Sequence, residues 1–141
     1  MVQLTSLERA ILLPPAPALS LPPREQLRRF YLIWTLKEAY TKALGLGLGF
    51  DFSRIEYDVP NDVVRIDGIA PRGWKFTRFE LQNEVRGGQI EEYVGVVAIF
   101  VGEDVEAEFK VIEASSPEWL KVYNASQFMK MAIEELVVLE T

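Results

Sequence analysis

From Phe30 to Gly49 apolar and polar residues recur with the period of a helix. On a wheel advancing 100° per residue, Leu32, Ile33, Leu36, Ala39, Tyr40, Ala43 and Leu44 gather on one broad apolar face. Tyr31, Trp34, Thr35, Glu38 and Lys42 share the opposite side. Arg24 to Leu44 contain neither Gly nor Pro, Pro23 sits where a first-turn proline is tolerated, and Gly45 is placed to be a left-handed cap. One long helix is predicted. Ahead of it, Thr5-Ser6-Leu7-Glu8 has the form of a capping box that opens a short helix through about Leu12. Pro14, Pro15, Pro17, Pro22 and Pro23 forbid regular helix across residues 13–23, which reads as a surface connector.

After Gly45, Gly47 and Gly49 the period shortens to two. Phe50 and Phe52 share one parity and Ile55, Tyr57 and Val59 the other, so a strand with a register break near Ser53 or Arg54 is expected. Pro60-Asn61-Asp62 is turn chemistry, Val63 to Ile66 a second strand, and Asp67-Gly68 its end. Trp74, Phe76, Phe79 and Leu81 mark a third strand, closed by Arg86-Gly87-Gly88. Tyr93 to Val101 is almost continuously apolar, as expected of a central strand buried on both faces. Glu106 to Glu113 alternates like an edge strand. Ser116-Pro117-Glu118 opens a last helix, broken near Asn124-Ala125-Ser126 and running to about Leu136. Helices, then strands joined by short turns, then a helix give an α+β fold: an antiparallel sheet packed by the long helix and a C-terminal helix. Residues 1–141 are expected to form one domain.

Composition narrows the chemistry. There is no Cys and no His among the 141 residues, which excludes thiolate nucleophiles, cysteine or histidine metal sites and histidine-centred triads. A metal would have to use oxygen ligands, which suit magnesium, manganese or calcium. A net charge of -6 argues against a broad nucleic-acid surface. Arg24, Arg28, Arg29, Lys37 and Lys42 nevertheless concentrate basic charge around the long helix, suited either to a phosphorylated ligand or to solvated helix ends. No apolar run reaches the length of a membrane span and no secretory signal opens the chain, so a cytoplasmic protein is expected. The alternate glycines follow a helix and do not link a strand to one, so they meet neither the dinucleotide nor the P-loop pattern. Glu38 and Lys42, four residues apart, lie one above the other. That spacing fits a helix-stabilising ion pair, and it equally fits a carboxylate and an ammonium holding metal and phosphate together.

Residues 34–48 resemble the signature of the 4'-phosphopantetheinyl transferase superfamily. The pattern is Trp-x-x-Lys-Glu-Ala, a Lys at the third residue after it, then Gly-x-Gly-Leu, and every fixed position is met. The opening around Leu4 to Glu8 and the strand holding Phe52 and Ile55 are similar, more loosely, to the long two-lobed form. The resemblance implies transfer of 4'-phosphopantetheine from coenzyme A to a serine of an acyl or peptidyl carrier protein, with magnesium on the pyrophosphate. It implies that Glu38 is a magnesium ligand and the base toward the serine, Lys42 a phosphate contact that assists, and Lys37 a secondary phosphate contact. The family's upstream Gly-x-Asp-x-Glu motif, source of the other magnesium ligands, is not in this sequence, and Glu91-Glu92-Tyr93 stands where a histidine is frequent. The chain therefore resembles the second lobe alone, expected to be weakly active or inactive by itself. The alternative is a non-catalytic module that associates with itself or binds a carrier protein; among partners, a second copy of the chain or a missing N-terminal lobe is also expected.

Overall fold

The computed structural model describes residues 3–17, 20–112 and 124–139. Helix α1 (Ser6–Leu12) is opened by the expected capping box: Glu8 N donates to Thr5 Oγ1 at 3.3 Å, and Thr5 N donates back to Glu8 Oε2 at 2.8 Å. Helix α2 (Pro23–Leu44) begins on its proline and ends at Gly45, whose φ of 73° places it in the left-handed region. Leu32, Ile33 and Leu36 are wholly buried along it. Each such side chain contributes about 1.5–3 kcal/mol of burial. The buried face differs from the wheel in one respect. Lys37 and Thr41 are buried, whereas Ala43 and Leu44 are exposed. Thr41 is accommodated because its hydroxyl donates to Lys37 O at 2.9 Å.

The break expected near Ser53 is real and stronger than a strand bulge. Phe52–Arg54 is a 3-10 turn, and β1 (Ile55–Asp58) begins only after it. β1 pairs antiparallel with β2 (Val63–Ile66). Between them Val59–Asn61 forms a 3-10 turn that ends on Asp62 with φ 51°.

A separate sheet holds β3 (Trp74–Val85), β4 (Gln89–Phe100) and β5 (Glu108–Ile112) in the order β4-β3-β5. The strand expected at the centre, β4, is therefore an edge, and β3 is the middle strand. Val94, Val96 and Ala98 are partly buried against the core while Ile99, Phe100 and Val101 are exposed, so neither side of the apolar run is fully covered. β3 and β4 form an antiparallel hairpin, but β5 runs parallel to β3, with Lys75 opposite Glu108 and Phe79 opposite Ile112. The end of β4 at Phe100 lies opposite the start of β3 at Trp74, so a short loop carries the chain past that end and β5 sets out in the direction of β3. Gly73 anchors the loop: its N donates to Val105 O at 2.6 Å and its O accepts from Val101 N at 2.7 Å. Its φ is +84°, and a Cβ there would lie 2.7 Å from Gly102 O, so a side chain is excluded on both counts.

The core fills the space between α2 and the two sheets. Leu12, Leu32, Ile33, Leu36, Ile55 and Val64 surround an aromatic group in which Tyr40 meets Trp74 at 4.7 Å between ring centroids and Tyr57 stacks on Phe109 at 5.3 Å. The helix start expected at Ser116 lies outside the described residues. Helix α3 (Ala125–Leu139) begins where a break was expected, because Asn124 Oδ1 accepts from Gln127 N at 2.8 Å as an N-cap. Phe128, Met129, Ile133, Leu136 and Val137 on α3 are all more than half exposed.

Candidate functional site

Two consecutive residues of α2 meet opposite environments. Lys37 points inward and is 0% exposed, as is its partner Glu8. Its Nζ donates to Glu8 Oε2 at 2.7 Å, Gln3 O at 2.9 Å and Phe52 O at 2.9 Å. An ammonium has three donors, and all are committed. Burial lowers the Lys37 pKa below the ordinary lysine value, and the Glu8 carboxylate opposes that shift. Glu8 also accepts from Thr5 N and, at 3.0 Å, from Tyr57 N, so one carboxylate joins α1, α2 and β1. The expectation that Lys37 contacts a phosphate meets this different set of partners.

Glu38 lies about 100° further round the helix, on the outer face. Its Oε2 is 3.8 Å from Lys42 Nζ, with side-chain exposures of 22% for Glu38 and 75% for Lys42. That separation exceeds a hydrogen bond, and an ion pair this open is worth about 0–1 kcal/mol. The ammonium can therefore turn to an incoming anion with little loss. Trp34 stands one turn earlier, edge-on to Phe52 with ring centroids 6.2 Å apart. The contact packs the 3-10 turn before β1 against the helix.

The remaining cations of the basic cluster do not converge on one anion site. Arg24 is bound by Glu92, Arg28 by Glu25 and Glu80, and Arg29 by Glu25 and Ile11 O. The Arg24 guanidinium holds the Glu92 carboxyl below its usual range. Among the described residues no group of three or more Asp, Glu, His or Cys side chains is arranged to hold a metal. Glu38 offers one carboxylate, fewer than a magnesium site built from protein alone requires. No described helix is long and apolar enough to cross a membrane.

Glu38 and Lys42 are neighbours, as their spacing predicts, with Lys42 exposed and Glu38 partly buried, whereas Glu8 as the partner of Lys37 was not foreseen. A signal existed. Lys37 falls beside Ile33 at the border of the apolar face of the wheel, where an ammonium requires a buried acceptor.

Residues 3–97 match the family model described as the 4'-phosphopantetheinyl transferase superfamily. The chain is 50% identical over 135 residues to a 4'-phosphopantetheinyl transferase of Paxillus involutus, a match covering 96% of this chain and 46% of that protein. It is 37% identical over 62 residues to a phosphopantetheinyl transferase of Thraustochytrium, covering 41% of this chain and 22% of the relative. With an L-aminoadipate-semialdehyde dehydrogenase-phosphopantetheinyl transferase of Xenopus laevis it shares 38% identity over 82 residues, 55% of this chain and 26% of the other. The chain thus spans less than half the length of these relatives. No solved structure matches it.

Proposed function

The chain belongs to the 4'-phosphopantetheinyl transferase superfamily, and from this we propose that it is the lobe of such an enzyme that carries the signature helix. Its reaction moves 4'-phosphopantetheine from coenzyme A to a serine of an acyl or peptidyl carrier protein. The observation that carries the reading is the division of α2 into a locked inner face at Lys37 and an open outer face at Glu38 and Lys42.

In this reading Glu38 accepts the proton of the serine hydroxyl as its oxygen bonds to phosphorus. The phosphoanhydride bond breaks and the nucleotide half of coenzyme A leaves with the bridging oxygen. Lys42 places an ammonium where charge develops on the diphosphate, the kind of fixed electrostatic stabilisation that lowers such barriers. Lys37 does not contact phosphate here: it sets the rotation of α2 so that its neighbour faces outward. The described residues do not make a magnesium site on their own, and Glu38 would supply a single oxygen to one completed by groups outside this chain. We therefore expect the 141-residue chain alone to be weakly active or inactive. A cytoplasmic location accords with this reaction.

Titration with coenzyme A in the presence and absence of magnesium tests the reading. Saturable binding that is lost in Lys42→Ala supports it, and no binding under either condition overturns it. Magnesium-dependent modification of an apo carrier protein by this polypeptide alone, abolished in Glu38→Ala, would overturn the expectation of weak activity. A non-catalytic, self-associating module is favoured by one observation, the exposed apolar residues of α3. A monomeric mass by light scattering at high concentration counts against it.

A further inference from the structure

Phe52 belongs at once to the locked inner side of α2 and to its outer face. Its carbonyl accepts from Lys37 Nζ at 2.9 Å, and its ring meets the Trp34 indole edge-on, with 6.2 Å between centroids and 74° between planes. The turn that presents Phe52 is tied at each of its three residues. Besides the bond at Phe52 O, Ser53 N and Oγ donate to Asp51 Oδ1 at 2.9 and 2.6 Å. Arg54 is fixed by its two hydrogen bonds to Asp67, and its carbonyl accepts from Asp67 N at 2.8 Å. Phe52 itself is buried, whereas Trp34 is 37% exposed. A rigid turn therefore supports one aromatic side chain on the outer surface of α2.

Trp34, Glu38 and Lys42 follow one another at spacings of four on one helix face. A helical side chain leans over the turn before its own Cα, so Glu38 lies over the turn that holds Trp34, and Lys42 over the turn that holds Glu38. Their exposures agree: Glu38 is largely covered and Lys42 is open. The same order accounts for the gap between the two charges. Glu ahead of Lys at this spacing is the favoured arrangement for a closed pair. Glu38 Oε2 and Lys42 Nζ nevertheless stay 3.8 Å apart, outside hydrogen-bond reach.

We propose that Phe52 is a positioning residue: by holding Trp34 against the helix it holds the Glu38 carboxylate back from Lys42, which keeps the ammonium free for a phosphorylated ligand. Phe52 acts through Trp34 and takes no part in the chemistry. The proposal rests on the transferase reading above. Without the Phe52 ring the indole can turn away and Glu38 can close on Lys42, so that an anion must displace the carboxylate before it reaches the ammonium.

Calorimetric titration of the full chain with coenzyme A, without magnesium, reads the free ammonium. Phe52→Leu keeps the backbone carbonyl that Lys37 uses and an apolar side chain, and removes the ring. It should raise the Kd about two- to fivefold, the range over which an exposed ion pair competes. Trp34→Leu removes the other half of the contact at a partly exposed position and should have the same effect. In Glu38→Gln, where no carboxylate can close on Lys42, adding either replacement should leave the Kd unchanged. Circular dichroism checks that each variant is folded at the titration temperature. A general loosening of the fold would weaken binding equally with and without Glu38. That outcome, an unchanged Kd in both ring variants, or binding of coenzyme A only with magnesium overturns the proposal and leaves the transferase reading in place. No binding by the unmodified chain under either condition overturns both.

Discussion

Glu8→Gln keeps the shape of a side chain that is 0% exposed and removes the carboxylate in contact with the Lys37 ammonium. In the native chain the two oxygens of Glu8 accept from Lys37 Nζ, Thr5 N and Tyr57 N. A glutamine amide has one acceptor oxygen, and its NH2 must then face a donor. Removing one partner of a buried pair costs about 3–5 kcal/mol, a large fraction of the 5–15 kcal/mol that holds a typical domain folded. The loss has a pH signature. The folded-state pKa of Lys37 is already lowered by burial, and without Glu8 it falls further. Between that value and the ordinary lysine pKa the unfolded chain binds the extra proton, so stability rises with pH across this window. Urea unfolding followed by circular dichroism at about pH 7 and about pH 9.5 should show the defect of Glu8→Gln shrinking at the higher pH. Glu8→Gln combined with Lys37→Met should recover part of the loss, because both buried charges are then gone. A variant within about 0.5 kcal/mol of the unmodified chain, or a defect that grows with pH, would refute the reasoning.

Arg54 binds Asp67 through two hydrogen bonds, at 2.8 and 2.7 Å, and holds its carboxyl below the usual range. A lowered folded-state pKa contributes stability that is present above the ordinary carboxylate pKa and lost as pH falls through the folded value. Asp67→Asn should therefore be less stable than the unmodified chain at neutral pH, and acid unfolding curves should show the difference disappearing well below about pH 4. Gly73→Ala, at φ +84° and with a Cβ 2.7 Å from Gly102 O, should cost about 2–4 kcal/mol in thermal unfolding. A loss under about 0.5 kcal/mol would contradict the geometry of the loop between β4 and β5.

What could be read from sequence was what short-range physics decides. The α2 helix was legible because its period persists from Pro23 to Leu44 and both ends are marked, by a proline and by Gly45. The capping box at Thr5 and Glu8 and the β3–β4 turn at Gly87 and Gly88 are equally local. The signature residues 34–48 gave the family, and the α+β class followed from the element order. Strand order did not follow. β4 is rich in Val whether it is central or an edge packed on one side, and the choice lies in its pairing with β3 and in the parallel return of β5. The partner of Lys37 was hidden for a similar reason. Glu8 already had a sufficient local explanation as the acid of a capping box, yet the same carboxylate reaches a helix 29 residues away in sequence.

That double use of Glu8 explains how neighbouring residues of one helix come to do different work. A charged group on α2 is structural when its donors are used up and its neighbours exclude water, as at Lys37, and is free to turn to another partner when its contact is long and open, as at Lys42. The two lysines should therefore respond oppositely to the same change. Lys42→Ala loses an exposed pair worth about 0–1 kcal/mol, so its unfolding midpoint should stay near that of the unmodified chain while its affinity for coenzyme A falls. Lys37→Ala strands the Glu8 carboxylate and opens space in the core, and should cost about 3 kcal/mol or more. Measured side by side, equal losses of stability in the two variants would remove the distinction between a locked inner face and an open outer one.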